Sequence, residues 1–154
     1  MFLYLVRHAE AKNEHEDPAR PLNRKGLSEI RKVAAYAEKT GVRVSKILHS
    51  NKTRAIETAS VLAVHLKPAN GLAEADGLSP GDDPDIWAQR VNDTDEDVML
   101  VGHLPHLDRL ASLILCGDAD KRLVSFETAS VVCLQRPVTA WSLKWMIIPD
   151  LIAP

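Results

Sequence analysis

The sequence predicts an α/β fold: a three-layer sandwich with a mixed, mostly parallel sheet, helices on both faces and an antiparallel strand pair at the C-terminal end. Three observations predict it. Short apolar runs at 2–6, 44–48 and 98–101 have the length and character of buried strands. Segments with an apolar face at helical spacing separate them, which implies parallel crossovers. The tail then changes character, with two β-rich runs placed close together.

Each element has its own grounds. Phe2-Leu3-Tyr4-Leu5-Val6 is short and apolar, as a buried strand is. Residues 9–25 are polar and rich in Glu, Asp, Lys and Pro, and predict a loop. Leu27, Ile30, Val33, Ala34 and Ala37 mark one face of a helix, with Gly41 as its stop. Val44 to Leu48 forms a second strand. Ala55, Ile56, Ala59, Leu62, Ala63 and Leu66 mark a second helix, ended by Pro68. Residues 69–83, rich in Gly, Pro and acids, predict an exposed loop. Asp83 before Pro84 is an N-cap for a short helix over 84–91. Residues 98–101 make a third strand. Pro105 opens a helix with Leu107, Leu110, Ala111, Ile114 and Leu115 on one face, and Gly117 ends it. Ser130–Gln135 and Trp141–Ile148 are two strands joined by a turn at Arg136-Pro137-Val138-Thr139.

Composition bounds what such a fold does. A chain of 154 residues predicts one domain, 1–154, large enough for a substantial core. A net charge of -2 gives no reason to expect nucleic acid or an anionic membrane as partner. Cys116 and Cys133 are isolated, with no CxxC spacing, and read as reduced packing residues in apolar surroundings. The apolar N-terminus is too short for a signal peptide or a spanning helix, so a cytoplasmic location is expected.

The chemistry lies where strands end. Arg7-His8 closes the first apolar run, and Gly102-His103 closes the run at 98–101. Arg54 opens the helix after Ile47-Leu48-His49. The carboxyl ends of parallel strands share one edge of a sheet, so these residues can converge in one cationic pocket. A neutral imidazole attacks phosphorus when correctly aimed. Guanidinium holds phosphoryl oxygens with planar, bidentate hydrogen bonds, which makes Arg7 and Arg54 the clamp candidates. The second histidine can donate to an equatorial oxygen. Phosphoryl transfer asks mainly for positioning and electrostatic stabilisation, and these parts supply both. The residues alone leave open whether His8 or His103 is the nucleophile.

Taken singly, each residue has a plainer explanation. Arg-His is a common dipeptide at a strand end, Arg54 a solvated helix residue, His103 a loop histidine. His15 and His65 have no accompanying groups, and His49 reads as packing. His103, His106 and Asp108 have a spacing that could hold a metal. Pro105 and the helix start explain that stretch without one, so no metal or other cofactor is expected.

The series in order outweighs the single readings. Leu5-Val6-Arg7-His8-Ala9-Glu10 resembles the RHG signature of the histidine phosphatase superfamily. Ser50-Asn51-Lys52-Thr53-Arg54-Ala55-Ile56-Glu57-Thr58-Ala59 is similar to its second motif, and Val101-Gly102-His103-Leu104-Pro105 to its third. Pro21-Leu22-Asn23-Arg24-Lys25-Gly26 is similar to the Pro-Leu-x-x-x-Gly stretch before the first helix of that superfamily. Short length and the His-Leu-Pro form resemble the SixA-type phosphohistidine phosphatase branch. The resemblance implies His8 as a nucleophile that forms a phosphohistidine intermediate, with Arg7, Arg54 and His103 as the phosphate pocket. It implies a phosphorylated protein as substrate and phosphate as product.

Two departures bear on that implication. Ala9 stands where Gly is usual, and its methyl could narrow the approach to phosphate. Many members of the superfamily carry a Glu general acid between the second and third motifs. Here Leu78-Ser79-Pro80 places Gly77 near that position, and Asp76, Asp82 and Asp83 read as loop and cap residues. A sugar alkoxide leaves poorly without an acid, worth typically ~10²–10⁴-fold, whereas an imidazole needs less help. There is also little room for a cap domain, so an open, shallow pocket is expected. Both points favour phosphohistidine in a protein. The alternatives are a metal-independent phosphomonoesterase of a small metabolite, and a non-catalytic phosphoprotein-binding module.

Overall fold

A computed structural model describes residues 1–154. It has six strands and four α-helices: β1 (Phe2–Arg7), α1 (Arg24–Lys39), β2 (Lys46–His49), α2 (Thr53–Leu66), β3 (Leu72–Glu74), α3 (Pro84–Asn92), β4 (Val98–Gly102), α4 (His106–Cys116), β5 (Val131–Gln135) and β6 (Ser142–Ile147). The strands form one sheet in the order β3-β2-β4-β1-β5-β6. β1 to β4 run parallel, while β5 is antiparallel to both β1 and β6. The α/β architecture and the antiparallel C-terminal pair therefore agree with expectation.

Alternation along the central strands builds two cores. Tyr4 and Val6 of β1 face one side, with Met99 and Val101 of β4, and there they meet Ile30, Val33 and Ala34 of α1 and Ala55, Ala59 and Leu62 of α2. Leu3 and Leu5 face the other side with Leu100, against Trp87 and Val91 of α3 and Leu107, Leu110 and Ala111 of α4. Burial of each such leucine stabilises the fold by roughly 1.5–3 kcal/mol. β1 and β4 are buried on both faces, which is why their sequences are continuous apolar runs rather than alternating ones.

Local chemistry sets the helix ends. Asn23 caps α1 by accepting from the Gly26 amide at 2.8 Å, so α1 begins earlier than its apolar face, at Arg24. A Cβ on Gly26 would collide with the backbone carbonyl of Glu10, which explains why the Pro-Leu-x-x-x-Gly stretch ends on glycine. Asp83 caps α3 through the Asp85 amide at 2.9 Å, as its position before Pro84 predicts.

Two expectations need correction. The stretch 69–83 is not all loop, because Leu72–Glu74 pairs in parallel with Ile47–His49 as the edge strand. All three of its residues are exposed, so no apolar pattern marked it. Cys116 is exposed at the end of α4 rather than packed, while Cys133 lies in the core; both thiols are free. No helix is long and apolar enough to cross a membrane.

Candidate active site

The parallel register brings the two histidines together. Arg7 of β1 lies opposite Gly102 of β4, so His8 and His103 leave adjacent strands side by side. Their ring centroids are 5.0 Å apart. The His8 amide donates to Gly102 O at 3.0 Å, and the Ala129 amide donates to both Arg7 O and His8 O. The backbone at the end of β1 is thus held from both sides.

The His8 ring has a defined tautomer. Its Nδ1 lies 2.7 Å from Ala9 O. A carbonyl only accepts, so Nδ1 carries the proton and Nε2 presents its lone pair. Burial pushes the His8 pKa down from 6.5 to about 4; the bond to Ala9 O opposes this, and the charges of Arg54, Arg7 and Arg20 add to the depression. The ring is therefore neutral, as a nucleophile must be, across the physiological range.

His103 is 2% exposed, and its Nε2 lies 2.6 Å from Ser50 Oγ. The Lys52 amide donates to the same hydroxyl. Assigning the hydroxyl proton to Nε2 leaves the ring proton on Nδ1, a buried donor with no partner in the protein. Burial pushes this ring down to about 3, helped by His8, Arg54, Lys52 and His106.

The arginines come from separate elements. Arg7 ends β1, and its Nη1 donates to Phe126 O at 2.8 Å. Arg54 lies in the first turn of α2. Thr58 joins α2 to the histidine turn, since its Oγ1 accepts from the Ala9 amide at 3.0 Å and donates to Arg54 O at 2.7 Å. Arg7 Nε and Arg54 Nε are buried donors without partners. Burial lowers the pKa of both guanidiniums, without approaching neutrality at ordinary pH. Buried donors left unpaired in a folded protein mark places where a ligand is expected.

Sequence reasoning named His8, His103, Arg7 and Arg54; the register brings the ends of β1 and β4, which carry Arg7, His8 and His103, together, and Arg54 opens α2. It missed the hydrogen-bonding parts played by Ser50 and Thr58, although both lie in the second motif. Ala9 is fully buried in the core with Val6 and Ala55, so its methyl is part of the packing. Asp76 is paired with Arg90 at 2.8 Å, Asp82 accepts from the Ser79 amide at 2.9 Å, and Asp83 is the α3 cap. Gly77 has φ 75, a conformation that resists a side chain. His49 is buried, His15 is exposed, and His65 pairs with Glu38. No group of three or more His, Cys, Asp or Glu side chains is placed to hold a metal ion. His103, His106 and Asp108 do not assemble into one.

His8 and His103 stand side by side at the ends of β1 and β4, with Arg7 beside them, an arrangement suited to phosphoryl transfer. Residues 3–79, half of the chain, match the histidine phosphatase superfamily (branch 1). The chain belongs to that superfamily. An uncharacterised protein of Picosynechococcus sp. is 31% identical over 144 residues, which cover 88% of this chain and 85% of that one. Among solved structures, the protein histidine phosphatase SixA complexed with tungstate is similar at a TM-score of 0.84 and 21% identity, covering 97% of this chain and 98% of that one. A SixA-type protein of Agrobacterium tumefaciens is similar at a TM-score of 0.78 and 24% identity, covering 96% and 97%. A mycobacterial glucosyl-3-phosphoglycerate phosphatase shares the fold at a TM-score of 0.72 and 16% identity, covering 94% and 97%.

The depressed histidines predict a pH dependence. Activity should hold as pH falls through 6.5 and be lost near pH 4, where His8 becomes protonated. Stability should follow the same sign. Both rings bind a proton more readily unfolded than folded, so stability is greatest above about 6.5 and declines as pH falls towards 4. Profiles of kcat/KM and Tm against pH check both; an acid limb centred at 6.5 would contradict the burial of His8.

Proposed function

We propose that the protein is a phosphohistidine phosphatase. It removes the phosphoryl group from a histidine of another protein through a covalent intermediate on His8. His8 Nε2 attacks phosphorus as the bond to the substrate imidazole breaks, and the departing imidazole keeps its own ring proton. Water then releases phosphate from His8, its proton passing to the phosphate oxygens. Arg7 and Arg54 hold the phosphoryl oxygens, and His103 donates to one of them. Residues 1–154 act as one domain. The free thiols fit a reducing compartment, in keeping with a cytoplasmic enzyme.

One observation carries the choice of substrate. The acids of the loop before α3 are engaged elsewhere: Asp76 pairs with Arg90, Asp82 accepts from the Ser79 amide and Asp83 caps α3, while Gly77 has no side chain to offer. Without an acid beside the phosphorus, a leaving group that departs easily is favoured. An imidazole does so, whereas an alkoxide forgoes roughly 10²–10⁴-fold of assistance. The likeness to the SixA structures supports the same substrate class.

A second reading has its own observation. Glu74, at the end of β3, lines a cavity of about 420 Å³ with Asn51, Asp76 and Asp82. If that carboxylate serves as an acid, the substrate is a small phosphomonoester. A panel of phosphohistidine protein, phosphoramidate and sugar phosphates separates the two. Phosphate release from the first two is expected, unchanged by EDTA and by Glu74→Gln. Turnover confined to sugar phosphates and lost in Glu74→Gln would establish the second reading, and loss with EDTA restored by Zn²⁺ would revive the His103, His106 and Asp108 set. Binding of the phosphoprotein with no release would identify a non-catalytic module.

A further inference from the structure

The loop between β1 and α1 folds back on itself. Ala11 and Leu22 form an isolated antiparallel bridge, and the Lys12 amide donates to Pro21 O at 2.8 Å. The returning limb is fastened to α2, where Glu57 accepts from the Leu22 amide at 2.7 Å. Glu57 lies one turn after Arg54. Beside it, Thr58 holds the Ala9 amide. The loop therefore crosses the first turns of α2 next to His8.

Arg20 occupies that crossing. Its backbone is left-handed, with φ 50, a conformation that costs an L-residue energy. Two bonds hold it there: its amide donates to Asp17 O at 2.9 Å, and its Nε donates to Lys12 O at 3.1 Å. Its terminal nitrogens have no hydrogen bond or ion pair within the protein. The guanidinium is near enough to disfavour protonation of both His8 and Arg54. The carboxylate that acts on Arg54 is Glu14, an exposed residue of the same loop. Arg20 and Arg54 bring like charges together beside His8, and a bound dianion relieves that repulsion.

We propose that Arg20 is a substrate-binding residue: a third guanidinium, held by the loop that is fastened to α2, that binds the oxygens of the phosphoryl group seated at His8. This rests on the placing of the phosphoryl group given above. It adds a cation outside the recognised motifs and gives the 9–23 loop a part in anion binding.

Inorganic phosphate binding, read by calorimetry, tests it in the wild type, Arg20→Gln and Arg20→Lys. Both substitutions remove the Nε bond to Lys12 O, but only glutamine removes the charge. The Kd for phosphate should rise roughly tenfold in Arg20→Gln, the low end for a charge-assisted hydrogen bond at a partly exposed site, and recover in large part in Arg20→Lys. Equal losses in the two variants, or a Kd within twofold of wild type in Arg20→Gln, overturn the assignment. Phosphoramidate turnover by the wild type is measured alongside. A wild type that binds phosphate without turnover refutes the proposed enzyme while Arg20 is still judged by the Kd series; one that binds no phosphate refutes both.

Discussion

His8→Ala is expected to abolish turnover, by roughly 10⁶-fold in kcat, the scale of loss when a covalent nucleophile is removed. The fold should survive. Leu3 and Leu5 supply the packing of β1, and the His8 side chain is only half-buried, its one hydrogen bond made to the adjacent carbonyl. Backbone bonds from His8 to Gly102 and Ala129 do not depend on the ring. Stability at pH 8 should therefore change by no more than about 1 kcal/mol. At pH 5 the variant should compare better with the wild type than at pH 8, because a ring that resists protonation in the fold has been removed. Steady-state kinetics and unfolding curves at the two pH values check both halves. Near wild-type turnover would rule out His8 as nucleophile.

His103→Ala is the second large effect, and its components differ. Loss of one donor to a developing phosphoryl charge costs about 2.7–4 kcal/mol, or roughly 10²–10³-fold in kcat. This substitution should also destabilise the protein. The ring is 2% exposed and bonded to Ser50 Oγ, so its removal opens a cavity and leaves the Ser50 O–H donor without its acceptor. A buried donor left unsatisfied costs roughly 1–3 kcal/mol. His103→Asn keeps a polar group in the space and should recover part of the stability more readily than the activity. Trapping separates the two histidines. With labelled phosphoramidate, His103→Ala should still accumulate label on His8, slowly, whereas His8→Ala should accumulate none. Label on His103 in the His8→Ala protein would exchange the two roles.

Much of this was legible because strong patterns coincide with geometry. β1 and β4 are buried on both faces, so each reads as an apolar run, and the residue after each run lies at the sheet edge. That is why His8 and His103 could be named together. β3 was invisible for the opposite reason: an exposed edge strand of three residues offers no alternation against a core. The start of α1 was hidden because Arg24 and Lys25 face solvent, and only the Asn23 cap marks the boundary. Arg136 reads as a turn residue in the sequence, yet it is buried, donating to Val91 O and Thr94 O and to Asp95. A charged residue after a strand carries no signal that backbone carbonyls will surround it. Ser50, Thr58 and Arg20 share that difficulty. Their parts depend on which loop crosses which helix, and spacing along the chain does not report it.

The register between β1 and β4 has a consequence for how the protein tolerates change. The gap between the imidazoles is set by the spacing of two hydrogen-bonded backbones, a gauge that belongs to every β-sheet and to no particular side chain. Insertions in the 9–23 or 76–82 connections leave that gauge untouched, because neither contributes a residue to the β1–β4 ladder. A slip of the ladder by one residue is excluded, since it would turn Leu3, Leu5 and their partners out of their core. The chemistry is thus anchored in the part of the chain least free to drift, while the surfaces that meet a substrate remain free to diverge.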